Sequence, residues 1–187
     1  YKRQEVELLV VAIPAEQAAA LLGDVAPDLA SRAAAAISEP CWTVMAAFSE
    51  PVGVSRDCWA AADLGEGALG WVARNSAKPG RTGPEAWVAQ ATPEWSRRVI
   101  DTAADPVAEQ VLAALAQKLG VEVPTCVGIS AHLWRFARCA DGGTGPVFDS
   151  DRRLGLCGDW LVGPRVESAW ISGADLAERI GACLLYT

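Results

Sequence analysis

The spacing of apolar residues near the end of the chain changes at one glycine turn. Leu154–Cys157 is a short unbroken apolar run, which predicts a buried strand. The run stops at Gly158 and Asp159, and Gly163 and Pro164 mark a turn. Beyond the turn the apolar residues recur at helical spacing: Val166, Ala169, Trp170, Gly173, Leu176, Ala177 and Ile180. This stretch therefore predicts a strand, a glycine turn and a helix.

Apolar runs and helical spacing of apolar residues also predict the remaining elements. Glu5–Ile13 is a continuous apolar run, which is typical of a strand buried on both faces. Short apolar or alternating runs predict strands of one mixed or antiparallel sheet at Cys41–Phe48, Ala68–Arg74, Ala86–Thr92 and Thr125–Phe136. Helices are predicted at Ala15–Leu22, Pro27–Ile37 and Asp105–Leu119, and a loop at Asp141–Asp149. The pattern indicates a mixed α/β fold.

The predicted helix Asp105–Leu119 has the clearest amphipathic pattern. One face carries Val107, Val111, Leu112, Leu115 and Leu119. Asp105 can cap its start, Pro106 suits the first helical position, and Gly120 ends it. We expect this helix to cover one face of the sheet.

Composition narrows the class of protein. The chain has 187 residues, 51% of them hydrophobic, and eight Trp, which is typical of a well-packed globular protein. The formal charge of −7 and the lack of a Lys/Arg-rich block argue against nucleic acid or anionic membranes as partners. No apolar window of about 18 residues and no signal-peptide pattern are present. A cytoplasmic protein that acts on a small molecule is therefore expected.

The six cysteines do not form a recognisable metal or disulfide pattern. They occur singly, mostly among apolar residues, at Cys41, Cys58, Cys126, Cys139, Cys157 and Cys183. Zinc sites of the common kind need paired ligands at short spacing, which this chain does not offer. We therefore predict reduced core cysteines and no metal.

Two segments resemble a known family. Gly158-Asp159-Trp160, followed by Arg165–Trp170 and then Ser172-Gly173, resembles the last FAD-contacting segment of the flavin-dependent amine oxidase superfamily, most closely its bacterial renalase-like branch. Val10–Gln17 resembles the strand by which that family's chain returns to its FAD domain. The resemblance implies FAD as cofactor, with contacts from Ala12, Pro14, Gly158, Asp159, Trp160, Val166, Glu167, Ser168 and Ala169. An ordinary strand–turn–helix connection is the alternative.

The resemblance also implies an interrupted architecture. Residues 1–37 and 151–187 would be two pieces of an FAD-binding α/β domain, and residues 38–150 a substrate domain inserted between them. The family's N-terminal glycine fingerprint, which cradles the pyrophosphate, has no counterpart in this sequence. Since Tyr1 is not an initiator Met, we expect the chain to begin within a larger protein, or to be a degenerate relative.

A literal dinucleotide fingerprint occurs at Gly65–Gly70, and we reject it. The motif needs a helix directly after it, so that phosphate lies at the helix N-terminus. Here the strand-like Trp71-Val72-Ala73 follows, and Glu66 places a negative charge where phosphate would lie.

Candidate substrate residues follow the second predicted strand of the sheet. The polar turn after Arg74 carries Asn75, Ser76, Lys78 and Arg81, and it resembles a segment of renalase-like proteins. A solvated hairpin loop is the alternative. His132, the single histidine, and Trp134 match the family's H-x-W-x-[FY]-A pattern; His132 is a weak candidate for catalysis, because a lone His in a strand is more often structural.

The resemblance implies hydride transfer from a small reduced substrate to flavin, with oxygen as the final acceptor and hydrogen peroxide as product. The donor would be a dihydronicotinamide nucleotide isomer, or else a primary or secondary amine. Cations at Arg74, Lys78, Arg81 and Arg135 favour the phosphorylated donor. A non-catalytic interaction module, with exposed Trp, is the third possibility. By itself the chain is expected to bind FAD weakly and to be inactive.

Overall fold

The structure is a computed structural model, and it describes residues 5–54, 60–62, 67–139 and 143–185. In chain order the elements are β1 (Leu9–Val11), α1 (Ala15–Leu22), α2 (Pro27–Ala34), β2 (Ser38–Phe48), β3 (Ala60–Ala62), β4 (Leu69–Arg74), β5 (Glu85–Ala91), α3 (Pro93–Arg98), α4 (Ala104–Leu119), β6 (Cys126–Cys139), β7 (Val147–Asp149), β8 (Leu154–Leu156) and α5 (Val166–Leu185). Short 3₁₀ turns lie at Asn75–Ala77 and Asp159–Leu161. The mixed α/β fold class is confirmed.

The chain divides into two compact units. The first unit combines Tyr1–Glu39 with Phe136–Thr187, and the second unit is Pro40–Arg135. The first division lies close to the predicted boundary at residue 37. The second lies within β6, fifteen residues before the predicted boundary at 150, and Cys139 at the end of β6 belongs to the core of the first unit.

The first unit contains a three-stranded sheet in the order β1-β8-β7. β8 pairs in parallel with β1 and antiparallel with β7. Its core includes Val11, Leu22, Leu156 and Leu161. The predicted strand Leu154–Cys157 is confirmed as β8, and the predicted helix at Ala15–Leu22 is confirmed as α1. The loop predicted at 141–149 contains β7, which is too short for a periodic pattern.

The prediction that Glu5–Ile13 is a strand buried on both faces is wrong. The strand β1 is only Leu9–Val11, and Leu9 and Val10 are 45% and 41% exposed while Val11 is buried. β1 is an edge strand in the described sheet, with β8 on one side. An unbroken apolar run cannot distinguish such a strand from a central one, because the sequence does not give its neighbours.

The second unit contains a five-stranded sheet in the order β3-β4-β5-β2-β6. The β3–β4, β4–β5 and β2–β5 pairs are antiparallel. Alternate residues of β2 point into the core, namely Trp42, Val44, Ala46 and Phe48. The four predicted strands of this sheet are thus confirmed, with bounds that differ by a few residues.

The helix α4 packs on this sheet as predicted. Val107, Val111 and Leu115 are fully buried in the same core as the strands. The predicted cap at Asp105 is wrong, since the N-cap residue is Ala103 and Asp105 lies in the first turn. An acidic side chain there still interacts favourably with the helix dipole. Sequence patterns missed the short helix α3, whose Thr92 caps it by accepting from the Trp95 amide.

The helix α5 begins where it was predicted, but of the seven residues on its predicted apolar face only Leu176 is buried. Ser168, Ser172 and Leu176 are buried, whereas Val166 and Trp170 are 92% and 74% exposed. A Cβ at Gly155 of β8 would lie 3.0 Å from Leu176 Cδ2, so the glycine allows the helix to approach the strand closely. The large apolar residues Val166, Trp170 and Ile171 of α5 remain exposed. The helix α2 ends at Ala34, three residues before its predicted end.

Candidate functional site

Gly158 adopts a backbone conformation that only glycine reaches easily, with φ 157° and ψ 164°. An added Cβ would lie 2.6 Å from Trp160 Nε1 and 2.8 Å from Trp160 Cδ1. Trp160 is buried, and its Nε1–H donates to the carbonyl of Ile13 at 3.1 Å. The packing of Trp160 is thus a sufficient reason for this glycine, without any contact to a cofactor.

The turn at Gly158 is fixed to the last helix by a buried hydroxyl. The Gly158 amide donates to Ser172 Oγ at 3.0 Å, and Ser172 is fully buried. The next residue, Asp159, accepts the Trp160 amide on its carboxylate Oδ1 at 2.9 Å. These contacts position both the end of β8 and the beginning of α5.

Two backbone amides at the start of α5 have no hydrogen-bond acceptor on the described backbone. Ser168 and Ala169 donate to the Arg165 carbonyl, at 3.0 and 3.3 Å, but within the described chain Val166 and Glu167 have no such acceptor. Both residues are exposed. The positive end of the helix dipole adds to these N–H groups, so this end suits an acceptor-rich or anionic group.

The structure brings the two predicted cofactor segments together. Val11 pairs with Leu156, and the Cys157 amide donates to the Val11 carbonyl at 3.2 Å. Because β1 and β8 are parallel, Ala12 and Pro14, which follow β1, lie at the same end of the sheet as Gly158, which follows β8. Of the nine predicted cofactor residues, Trp160 and Ser168 are buried and can only support the site, while the other seven are at least partly exposed.

A polar cleft of about 520 Å³ lies in the second unit. Its lining includes Ser76, which was predicted to bind substrate, together with Arg74, Glu85 and Glu50; the other lining residues are Ser49, Pro51, Ala77, Gly83 and Pro84. Asn75, Lys78, Arg81 and Trp134 are not among them. Of the five predicted substrate residues, only Ser76 therefore lies in the cleft.

Glu85 is the centre of a buried hydrogen-bond network beside the cleft. Its Oε2 accepts from Arg74 Nη2 at 2.7 Å, Arg74 Nε at 3.1 Å and Ser76 Oγ at 3.3 Å. Its Oε1 accepts from Trp87 Nε1 at 2.8 Å. The Arg74 and Glu85 side chains are only 13% and 6% exposed. The sequence analysis missed Glu85. The signal available in the sequence was an acidic residue two positions before Trp87, and therefore on the same face of the strand.

The network changes the expected charge of the site. Arg74 is neutralised by Glu85, and Arg135 lies 3.9 Å from Asp101 in an exposed ion pair. Lys78 and Arg81 are exposed cations of the turn that precedes β5. Four cations favoured a phosphorylated donor in the sequence, and that argument now rests on Lys78 and Arg81 alone.

His132 and Trp134 contact each other on β6. Their ring centroids are 4.5 Å apart with the planes at 72°, and Trp134 is 56% exposed. His132 is also exposed. This edge-to-face pair is typical of aromatic packing and supplies no partner that would activate the imidazole.

The cysteine prediction is partly wrong. Cys139 and Cys157 are buried, but Cys126 is exposed and Cys41 and Cys183 are partly exposed; Cys58 lies outside the described residues. Burial raises the pKa of the Cys157 thiol. Among the described residues no group of three His, Cys, Asp or Glu could hold a metal ion. None of the described helices is both long enough and apolar enough to cross a bilayer.

The rejected fingerprint at Gly65–Gly70 lies partly outside the described residues. Its last glycine belongs to β4, and a strand rather than a helix follows, in agreement with the rejection. An added Cβ at Gly70 would lie 3.4 Å from Cγ2 of Thr92, the N-cap residue of α3.

Comparison with known proteins shows the fold. No family model matches the sequence. A structure from Exiguobacterium sp. 255-15, named "Putative protoporphyrinogen oxidase", matches 93% of this chain with a TM-score of 0.67 and 15% identity. An oxidoreductase from Methanosarcina mazei matches 94% of it with a TM-score of 0.58 and 12% identity. The chain spans 41% and 43% of those two proteins. It therefore has a fold that is found within these longer oxidoreductases.

Proposed function

We propose that this chain is part of an FAD-dependent, renalase-like oxidoreductase. It would oxidise a small reduced substrate, a dihydronicotinamide nucleotide isomer, with oxygen as the acceptor and hydrogen peroxide as product. The observation that carries this proposal is the exposed start of α5, whose Val166 and Glu167 amides lie next to the turn after β8. The fold shared with two oxidoreductases supports it.

The residues present fit one end of a flavin. The amides of Val166 and Glu167 would hold the acceptor oxygens of its ring, and the dipole of α5 favours negative charge there. The exposed part of the Asp159 carboxylate would accept from hydroxyl groups. Bound FAD would supply the hydride acceptor. Trp160 and Ser172 would act as positioning residues, because they hold the turn and the helix in place.

The exposed apolar residues of the first unit support the view that it is part of a larger FAD-binding domain. Leu9 and Val10 on β1 are more than 40% exposed, and Val166 and Trp170 on α5 are more exposed still. A further α/β segment, with the glycine fingerprint that this sequence lacks, would cover them and hold the pyrophosphate.

Oxidation of an amine is the second candidate, and the charge of the cleft is compatible with it. Glu50 lines the cleft, and the charge of Arg74 is balanced by Glu85. A cleft of this charge suits a protonated or neutral ligand at least as well as a phosphate. A longer protein that contains this chain would separate the two donors, because only the true substrate class would bleach its flavin absorbance without oxygen.

A titration of the 187-residue chain with riboflavin tests the cofactor site. Riboflavin carries the ring that the site would bind and lacks the pyrophosphate. We expect the backbone amide resonances of Val166 and Glu167 to shift in NMR spectra as the ligand is added. Unchanged resonances at saturating riboflavin would overturn the proposed site.

Two variants at one residue provide the control. Val166→Pro removes an N–H group yet suits the first position of a helix, whereas Val166→Ala keeps the N–H. Since Val166 is 92% exposed, neither variant loses packing. We expect the Pro variant alone to bind riboflavin more weakly. FAD should bind no better than riboflavin, and a yellow protein that retains FAD on purification would contradict the lack of a pyrophosphate site.

A further inference from the structure

Residues 143–146 lie against the short 3₁₀ turn Asp159–Leu161. A Cβ added at Gly143 would lie 2.9 Å from Leu161 Cα, so a residue with a side chain could not approach the turn this closely without a shift of the backbone. The Gly145 amide donates to the Leu161 carbonyl at 2.7 Å, and Gly145 has a φ of 91°, which favours glycine. Both glycines therefore serve the contact between this segment and the turn.

Two arginines connect the same segment to two helices. Arg32 on α2 donates through Nη2 to the Gly145 carbonyl at 3.0 Å and also to Thr144 Oγ1. Arg179 on α5 donates through Nη1 to the Pro146 carbonyl at 2.7 Å. Hydrogen bonds from a charged donor are stronger than those between neutral groups. The segment thus joins α2, α5 and the turn, all within the first unit.

Hydrogen bonds continue from the turn to the start of α5. The Gly163 amide donates to the Asp159 carbonyl at 2.7 Å, and the Arg165 amide donates to the Gly163 carbonyl at 2.8 Å. The Ser168 amide, in the first turn of the helix, donates to the Arg165 carbonyl at 3.0 Å. A displacement of the turn would therefore also move the helix start, where the Val166 amide lies.

We propose that Arg32 and Arg179 are positioning residues for the flavin site at the start of α5. This inference rests on the proposed function, because it concerns the same site. The arginines hold residues 143–146 against the turn, and the turn fixes the helix start. Every donor and acceptor in this series belongs to the described chain, so the series does not depend on what else contacts the first unit. Loss of either arginine leaves the bond between Gly145 and Leu161 in place, and we expect a looser site rather than an unfolded unit.

Amide hydrogen exchange of the 187-residue chain tests this role without a ligand. Arg32→Met and Arg179→Met keep an apolar stem and remove the donors. Exchange at the Gly145 and Gly163 amides should become roughly three- to tenfold faster in each variant, the range for loss of one partly exposed hydrogen bond. Arg179→Lys keeps a charged donor and should restore slow exchange. Unchanged exchange at Leu156, in the core strand β8, would show that each variant is folded.

Arg152→Met is the matched control. Arg152, in the turn between β7 and β8, donates from Nη1 to Asp28 of α2 at 2.9 Å and to Asp149 at 2.8 Å. Its replacement removes hydrogen bonds of an arginine in the same unit, but the acceptors lie outside residues 143–146. Exchange at Gly145 should therefore stay at the wild-type rate.

Riboflavin titration of the same variants extends the test to the site itself. The affinity should fall several-fold in Arg32→Met and Arg179→Met and return in Arg179→Lys. A wild type that binds no riboflavin would overturn the proposed function, and exchange at Gly145 would then decide by itself whether the arginines position the turn. Wild-type exchange at Gly145 in both Met variants, an equal effect of Arg152→Met, or wild-type riboflavin affinity despite faster exchange would each overturn the positioning role.

Discussion

Replacement of Glu85 by Ala should destabilise the second unit strongly. The substitution leaves the guanidinium of Arg74, 13% exposed, without its charged partner. Removal of one member of a buried ion pair costs about 3–5 kcal/mol. Trp87 Nε1–H also loses its acceptor, which adds roughly 1 kcal/mol. We expect a total loss of about 4–6 kcal/mol, a large part of the 5–15 kcal/mol by which typical domains are stable.

Urea denaturation followed by Trp fluorescence would measure this loss, with two comparisons. Glu94→Ala removes an exposed ion pair with Arg97, whose side chains are 72% and 46% exposed, and should cost less than about 0.5 kcal/mol. The double variant Arg74→Met, Glu85→Leu leaves no unpaired charge and should be more stable than Glu85→Ala alone. A loss from Glu85→Ala below about 1 kcal/mol, or equal to that from Glu94→Ala, would refute the importance of the network.

Two further changes concern the first unit. Gly158→Ala should lower the melting temperature by several degrees, because the new Cβ would lie 2.6 Å from Trp160 Nε1. Gly173→Ala, which has open space around its Cβ, should leave the melting temperature unchanged or raise it. Equal effects of the two variants in calorimetry would contradict the packing of Trp160 against Gly158. Burial raises the pKa of Cys157 above its ordinary value of 9.0, so the stability that it contributes is complete below that pH and declines as pH rises through the folded-state pKa. Cys157→Ala should therefore lose less stability than the wild type when denaturation is repeated at increasingly alkaline pH. Parallel profiles of stability against pH for the two proteins would contradict the raised pKa of Cys157.

The sequence predicted the elements that periodicity alone determines. α4 shows apolar residues at helical spacing over sixteen residues, and the structure buries Val107, Val111 and Leu115 as expected. The order of strand, glycine turn and helix from Leu154 onward was equally clear. In both cases the local pattern and the tertiary contacts agree.

Features that depend on distant partners were not predictable in the same way. The buried face of α5 carries Ser168 and Ser172 whereas Trp170 is exposed, so the hydrophobicity of the residues does not predict which face packs against β8. Arg74 looked like a free cation because Glu85 is eleven residues away along the chain and adjacent only across the hairpin. Among the predicted site residues, the cofactor set lies around the ends of β1 and β8 and the start of α5, while only Ser76 of the substrate set lines the cleft.

The hydrogen bond between Gly158 and Ser172 also affects how the first unit fluctuates. It joins the turn to the second turn of α5, about 9 Å along the helix from Val166 at 1.5 Å per residue. Opening of the turn requires this bond to break, so the turn and the start of the helix are coupled. A molecule that binds the amides at the helix start would make that event rarer, and it would slow hydrogen exchange at Gly158 without contacting that residue.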